Sequence, residues 1–319
     1  MNSREIPTAV GPLLQYYYDL GKAPITFDSA VAFAVAAAFG RLRGFRGMKV
    51  NIIASRFRIM SERERSYDMG TRQWRLNNII LRLATLIPFV ADIELVRDQV
   101  PELVEPKWPH DYDPADPKSK IPYLFGTLNK ISALGGDVQV YRNTAYSQKW
   151  AESILPVREK SIVLAIRNAD HDASRDSKLD DWFALYKHLS QKGFDVVVIP
   201  DQGDVLGANY SSTYPWRICI PAAMDIELRL ALYRNSVMNF AWSSGNTALL
   251  YLSDASFTIF GVLNSKSTMA SVARLNNFGI TVGQQPQWFK EHQAFLWRDA
   301  AEVEASYLIE SAEAVLAVL

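Results

Sequence analysis

The sequence predicts an α/β chain of two domains, each a parallel sheet covered by helices, with a cleft between them. Three observations carry this. The chain has 319 residues, beyond the size at which a single hydrophobic core usually stops growing. Apolar residues make up 49% of it, enough to fill two cores. Short apolar runs alternate with helical patterns in both halves, as βαβ units do.

The clearest unit is Ser161–Asp201. Ile162–Ile166 reads as a buried strand, and a polar loop with Arg167, Asn168, Asp170, His171, Asp172, Arg175 and Asp176 follows. Leu179, Trp182, Phe183, Leu185, Tyr186 and Leu189 then fall on one helical face. Asp180 and Asp181 open that helix and Gly193 closes it. Val196–Ile199 is a second buried strand, so the two strands are parallel with a right-handed crossover. Ligands of such sheets bind at the carboxyl ends of the strands, where Arg167 stands. There a guanidinium suits a phosphate; equally, it could pair with Asp170 or Asp176 and hold the loop.

Along the chain, residues 1–22 read as irregular, with Tyr16-Tyr17-Tyr18 packing on the first domain. Ala23–Phe27 is expected as a strand, and Asp28 or Ser29 caps a helix to Leu42. Lys49–Ala54 and Ala91–Val96 are strands around a helix over Thr71–Leu86. Ser55–Asp68 is an Arg-rich loop with few apolar anchors. Val100–Pro122 carries prolines at 101, 106, 109, 114, 117 and 122 and reads as a long functional loop. Helix Ile121–Leu134, strand Asp137–Tyr141 and helix Ala145–Leu155 complete a first domain over 1–152. In the second, over 153–300, Arg217–Ile220, Val237–Trp242, Phe257–Val262 and Leu296–Arg298 are strands, and Asp225–Tyr233 and Ala248–Ser253 helices. An amphipathic helix over 301–319 is expected to pack back toward the first domain.

Bulk properties narrow the class. Thirty-four basic residues balance thirty-four acidic ones, which gives no global case for nucleic acid. The one cysteine, Cys219, excludes an internal disulfide and fits a reducing compartment. The longest apolar stretch, Ala30–Phe39, is too short to span a bilayer, and no secretory signal is visible, so a cytoplasmic protein is expected. Between Arg41 and Arg82 ten arginines and one lysine face three acids, a local net charge of +8. This is either a solvated helix face or a surface for an anionic partner, including the inner face of a membrane.

Ser243-Ser244-Gly245-Asn246-Thr247 is the second strong motif. It joins a buried strand to a helix on the same carboxyl edge as Arg167, where small residues and unpaired N–H groups suit a diphosphate. The plainer reading is a serine N-cap. Asp111-Tyr112-Asp113 has the D-x-D form of a metal site, but lies among prolines with no strand before it. The histidines at 110, 171, 188 and 292 lack metal-ligand spacing, and no metal or cofactor is expected. No phosphate loop, dinucleotide fingerprint or nucleophile elbow is present.

Residues 160–262 carry a family resemblance. Val163-Leu164-Ala165-Ile166-Arg167 is similar to the strand-plus-arginine of fucosyltransferase-like and O-fucosyltransferase-like enzymes. Asn168 with Arg175-Asp176-Ser177, then Leu189, Gly193-Phe194 and Val196–Ile199, resembles a bacterial glycosyltransferase family of that type. Phe240-Ala241-Trp242-Ser243-Ser244-Gly245 resembles its apolar strand and Ser-Ser-Gly turn. The first half is similar in pattern only, at Phe27-Asp28, Phe57-Arg58 and Trp74–Asn78. Two departures stand out: Ala165 takes the place of a usual histidine, and no acidic residue can be assigned to the donor ribose.

The resemblance implies a GT-B glycosyltransferase of two Rossmann-like domains. A nucleotide-sugar would lie in the second, its diphosphate against Arg167, Asn168 and Ser243, Ser244, Gly245, Asn246 and Thr247. A glycan, lipid-linked or small-molecule acceptor would enter across Asp28, Arg56 and Arg58, with Asp28 as general base of an inverting, metal-free hexosyl transfer. Asp28 could equally be only the helix N-cap. A GT-B-like epimerase or hydrolase, or a non-catalytic nucleotide-sugar-binding protein, would share the donor site.

Overall fold

The computed structural model describes residues 11–54, 62–65, 67–97, 102–116, 118–121, 125–169, 172–202, 205 and 214–319. The chain forms two compact units, Met1–Tyr141 and Arg142–Leu319. The helix Ala145–Ile154 thus belongs with the second unit, where it packs on the helix Ile226–Asn235; the Thr144 and Ser147 hydroxyls both donate to Glu227.

In the first unit β1 (Leu13–Asp19), β2 (Gly47–Ile53), β3 (Val90–Val96) and β4 (Lys107–Trp108) form a parallel sheet in the order β3-β2-β1-β4. The first strand is therefore the tyrosine run rather than Ala23–Phe27. Tyrosine favours strands, and Tyr16, Tyr17 and Tyr18 are buried on both faces, as a central parallel strand requires. Tyr16 and Tyr18 meet Phe33 edge-on, and Tyr17 stacks on Tyr112. Residues 20–27 form turns instead, anchored by the Lys22 and Ala23 N–H groups on the Asp19 carbonyl.

The helix Asp28–Leu42 lies close against this sheet because alanine lets it: Ala30–Ala38 are at most 6% exposed. The helix expected over Thr71–Leu86 runs from Met69–Arg75 through a π-helical stretch, Leu76–Leu81, to Arg82–Thr85. The helix Phe125–Ala133 follows where Ile121–Leu134 was expected. Asp137–Tyr141 is not a strand. It takes no place in the sheet, while Val138, Val140 and Tyr141 are buried and the Tyr141 hydroxyl donates to Ala30 O at 2.9 Å.

In the second unit β5 (Ser161–Ala165), β6 (Asp195–Ile199), β7 (Met238–Trp242), β8 (Phe257–Phe260) and β9 (Gln293–Phe295) form a parallel sheet in the order β6-β5-β7-β8-β9. Chain order reverses between β5 and β7, which makes that gap the topological switch point. Arg217–Ile220 contributes only a single bridge, Val198 to Ile218, and the last strand precedes Leu296–Arg298. The helix Leu179–Gln191 covers one face through Trp182, Leu185 and Leu189, in one core with Leu308 and Ala312 of the closing helix Ala305–Leu316. Those two helices are joined by Glu313, which lies 3.0 Å from His188 Nε2 and 2.5 Å from Lys192 Nζ.

Candidate functional site

The β5–β7 pairing aligns Leu164 with Phe240 and Ala165 with Ala241. Continuing that register sets Arg167 level with Ser243, so the two sequence motifs leave adjacent strands at the switch point. Neither strand could expose its motif from the other end, because parallel strands share one carboxyl edge.

Arg167 is only 3% exposed. Its Nη1 donates to the Asp172 carbonyl at 3.2 Å and forms an ion pair with Asp176. Of the two acids that could hold the loop, Asp176 is thus engaged; Asp170 and His171 lie outside the described residues. Ser177 brackets the arginine, since Arg167 N–H donates to its Oγ at 2.9 Å and its own N–H donates to Arg167 O at 2.8 Å. The Ala169 N–H donates to Asp176 at 3.1 Å. Burial raises the Asp176 pKa, and the Ala169 amide and the Arg167 charge oppose that only in part. The pair therefore fixes a geometry more than it stabilises the fold. Asn168, next on the edge, is half-buried.

A short 3-10 turn, Ala173–Arg175, continues the loop. It is entered through Asp172 in the left-handed region, at φ 55°. The Asp172 carboxylate accepts from the hydroxyls of Ser174 and Ser267, and these bonds hold its pKa below the usual range. Trp242 Nε1 donates to Arg175 O at 2.5 Å, and Asn264 Nδ2 to Ser174 O at 2.8 Å. The loop is thus tied to the ends of β5, β7 and β8.

Ser243 N–H donates to Phe260 O at 2.8 Å, which fixes the start of the second motif beside β8. Ser244 is the N-cap residue, but its hydroxyl caps no backbone N–H; it donates to Asn246 Oδ1 at 2.6 Å. Thr247 is buried, with its hydroxyl on Ser244 O at 2.6 Å, while Gly245 is exposed. The helix beyond is shorter than Ala248–Ser253: a 3-10 turn, Gly245–Thr247, and one α-turn, Ala248–Tyr251. A helix this short contributes little dipole, so any anion here depends on the turn's own N–H groups.

The first unit carries the other expected residues. Asp28 does not end a strand. It is exposed in the first turn of its helix, where Phe27 is the N-cap residue, and its Oδ2 accepts from Thr26 Oγ1 at 2.8 Å. The carboxylate that does end β1 is Asp19, fully buried, which accepts from Gly21 N–H at 2.7 Å and Tyr112 OH at 2.9 Å. Reading the tyrosine run as a strand would have found it. Arg56 and Arg58 lie outside the described residues. In Asp111-Tyr112-Asp113 the tyrosine is buried, and Asp113 accepts from Ala115 N–H at 2.7 Å while its carbonyl takes Lys22 Nζ at 2.8 Å. Among the described residues no three of His, Cys, Asp and Glu gather so as to hold a metal ion.

No family model matches the chain, and no curated protein matches its sequence. Solved structures do match its fold. A glycosyl transferase of family 9 from Veillonella parvula superposes with a TM-score of 0.54 at 8% identity, over 96% of this chain and 97% of that one. The E. coli ADP-heptose LPS heptosyltransferase II gives 0.52 at 9% identity, over 96% and 99%. The fold is that of GT-B glycosyltransferases. At such identities the likeness extends to two parallel-sheet domains and their connectivity, along almost the whole of each chain.

Proposed function

We propose that the chain is a glycosyltransferase that takes its sugar from a nucleotide-sugar bound at the carboxyl edge of β5 and β7. The observation that carries this is the convergence of Arg167 and the Ser243–Thr247 turn on the switch point of a fold shared end to end with glycosyltransferases. Breaking the sugar–phosphate bond leaves negative charge on the diphosphate. Fixed N–H donors and a guanidinium stabilise that charge without a metal ion, because they are oriented before the reaction begins. Inverting transfer also needs a base at the acceptor hydroxyl, and Asp28 takes that role: it is an exposed carboxylate whose Oδ2 is already oriented by Thr26. Arg56 and Arg58 serve the acceptor.

The donor sugar is of the hexose or heptose class. The sequence resembles fucosyltransferase-like enzymes, whereas the E. coli neighbour is named for ADP-heptose. Arg41, Arg43 and Arg46 are exposed around Leu42, itself 39% exposed, at the end of the helix Asp28–Leu42; they fit peripheral contact with an anionic membrane. No helix among the described residues is long and apolar enough to cross one.

A thermal-shift screen of ADP-, GDP- and UDP-sugars tests the reading. Saturable stabilisation by one base series is expected. Turnover of that donor only with acceptor present marks a transferase, and sugar release without acceptor marks a hydrolase or epimerase. No stabilisation by any nucleotide would refute the proposal.

A further inference from the structure

We infer that Ser267 and Asn264, on the loop after β8, are positioning residues of the donor site: they close an arch over the end of β7 and so fix the loop that carries Arg167. Their role rests on the proposed nucleotide-sugar site, to which they add the loop of a third strand.

Strand order makes the arch. β5 and β8 are not neighbours, since β7 lies between them. Yet the loops that follow them bond to each other: Ser267 Oγ donates to Asp172 Oδ2 at 2.8 Å, and Asn264 Nδ2 donates to Ser174 O at 2.8 Å. The three strands are parallel, so both loops start from one carboxyl edge and meet across the end of β7. Trp242, the last residue of β7, joins the crossing: it is buried, and its Nε1 donates to Arg175 O at 2.5 Å. The end of β8 packs on the same indole, because a Cβ on Gly261 would come within 2.6 Å of it.

The links run to Arg167. Its Nη1 donates to the Asp172 carbonyl at 3.2 Å, and Asp172 holds the left-handed region at φ 55°. A residue other than glycine persists there only where its neighbours over-determine it, and Ser267 does so from outside the loop. Ser267 and Asn264 are themselves firmly set. They are 4% and 1% exposed. Asn264 Oδ1 accepts from Lys266 N–H at 2.9 Å, and its own N–H donates to Ala270 O at 3.0 Å. Ser267 Oγ also accepts from Met269 N–H at 3.3 Å. Ser265 N–H on Asp299 Oδ2 at 2.9 Å and Ala300 N–H on Leu263 O at 2.8 Å anchor the start of the same loop. The loop after β8 is thus a buttress, and what it supports is the β5 loop at the edge where the diphosphate is proposed to lie. Donors held by such a buttress need not be ordered on binding, which is a gain in affinity.

The test is calorimetric titration of the full chain with ADP, GDP and UDP and the matching monophosphates, well below each variant's melting temperature. Ser267→Ala and Asn264→Ala are each expected to weaken the preferred diphosphate by about 3- to 30-fold and the monophosphate by less, so that the preference for diphosphate shrinks. Ser265→Ala, at an exposed serine of the same loop, leaves both affinities unchanged. Asp172→Gly fits the left-handed backbone but removes the carboxylate that Ser267 holds. Ser267→Ala should therefore cost nothing further in that background. If Asn264→Ala does not fold, Ser267→Ala, which removes a single oxygen, decides alone. An unchanged diphosphate preference in Ser267→Ala and Asn264→Ala would overturn the inference while leaving the site in place. So would an equal loss in Ser265→Ala, or additive losses in Asp172→Gly/Ser267→Ala. Failure of the parent chain to bind any of the six nucleotides would overturn the proposed function itself, and this inference with it.

Discussion

Removing Asp176 alone should be far more damaging than removing it together with Arg167. The side chains of the pair are 3% and 16% exposed, so Asp176→Ala strands a guanidinium that water cannot reach. Orphaning one member of a buried pair costs about 3–5 kcal/mol. For a unit of this size that is a fall of about 6–20 °C in melting temperature. Replacing both members with apolar residues of similar volume removes two desolvation penalties at once and should cost about 0–2 kcal/mol. The pH dependence points the same way. The folded-state pKa of Asp176 is raised by burial despite its partner, so ionising it works against folding. Its contribution to stability therefore falls as pH rises from its ordinary value toward the raised one. The assay is a double-mutant cycle by urea denaturation of Asp176→Leu, Arg167→Met and Arg167→Met/Asp176→Leu, with Asp176→Ala measured beside it. Additive losses, or an Asp176→Ala loss below about 0.5 kcal/mol, would refute the reasoning.

Other expectations follow from separate parts of the chain. Burial alone would raise the Asp254 pKa, but Arg234, bonded at 2.5 and 3.1 Å, with the charge of Arg142, holds it down to about 2. Its stabilisation is full above the unfolded value of 3.8 and is lost as pH falls through 2. Asp254→Asn should thus cost about 1 kcal/mol at neutral pH, discounted for the solvent-facing part of the pair, and denaturation curves should show that gap closing in acid. Gly261 sits at φ 67°, and a Cβ there would lie 2.6 Å from the Trp242 ring. Gly261→Ala should cost about 1–3 kcal/mol and weaken nucleotide binding through the Trp242–Arg175 bond, whereas a neutral result would detach Trp242 from the site. Asp28→Asn should lower kcat by about 100- to 10,000-fold with donor affinity intact, and unchanged turnover would end its role as base. Charge reversal at Arg41, Arg43 and Arg46 should reduce sedimentation with anionic vesicles by about 100-fold or more, and equal binding to neutral vesicles would contradict an electrostatic contact.

The second sheet was legible because buried parallel strands read as unbroken apolar runs. Ile162–Ile166 and Val196–Ile199 are such runs, and they coincide with β5 and β6 to within a residue or so. β1 was hidden because three tyrosines resemble a packing cluster, and β4 because two residues between prolines have no period to read. Asp137–Tyr141 shows the opposite error: Val138, Gln139, Val140 and Tyr141 are all buried, and burial does not require a place in a sheet. At the site, the position of Arg167 followed from chain order alone, since a residue after a parallel strand must lie at the carboxyl edge. What that arginine bonds did not. Asp170 and Asp176 are chemically alike in sequence, and the Trp242 bond to Arg175 joins residues 67 apart. No local pattern encodes a contact of that range.

The most direct measurement is a crystal structure of the chain soaked with the nucleoside diphosphate that the screen selects. The expected result is diphosphate density at the carboxyl edge between β5 and β7, within hydrogen-bonding distance of the Ser244–Asn246 amides and of an arginine of the 167–175 loop. Density on the first unit, or at the amino edge of the second sheet, would contradict the account.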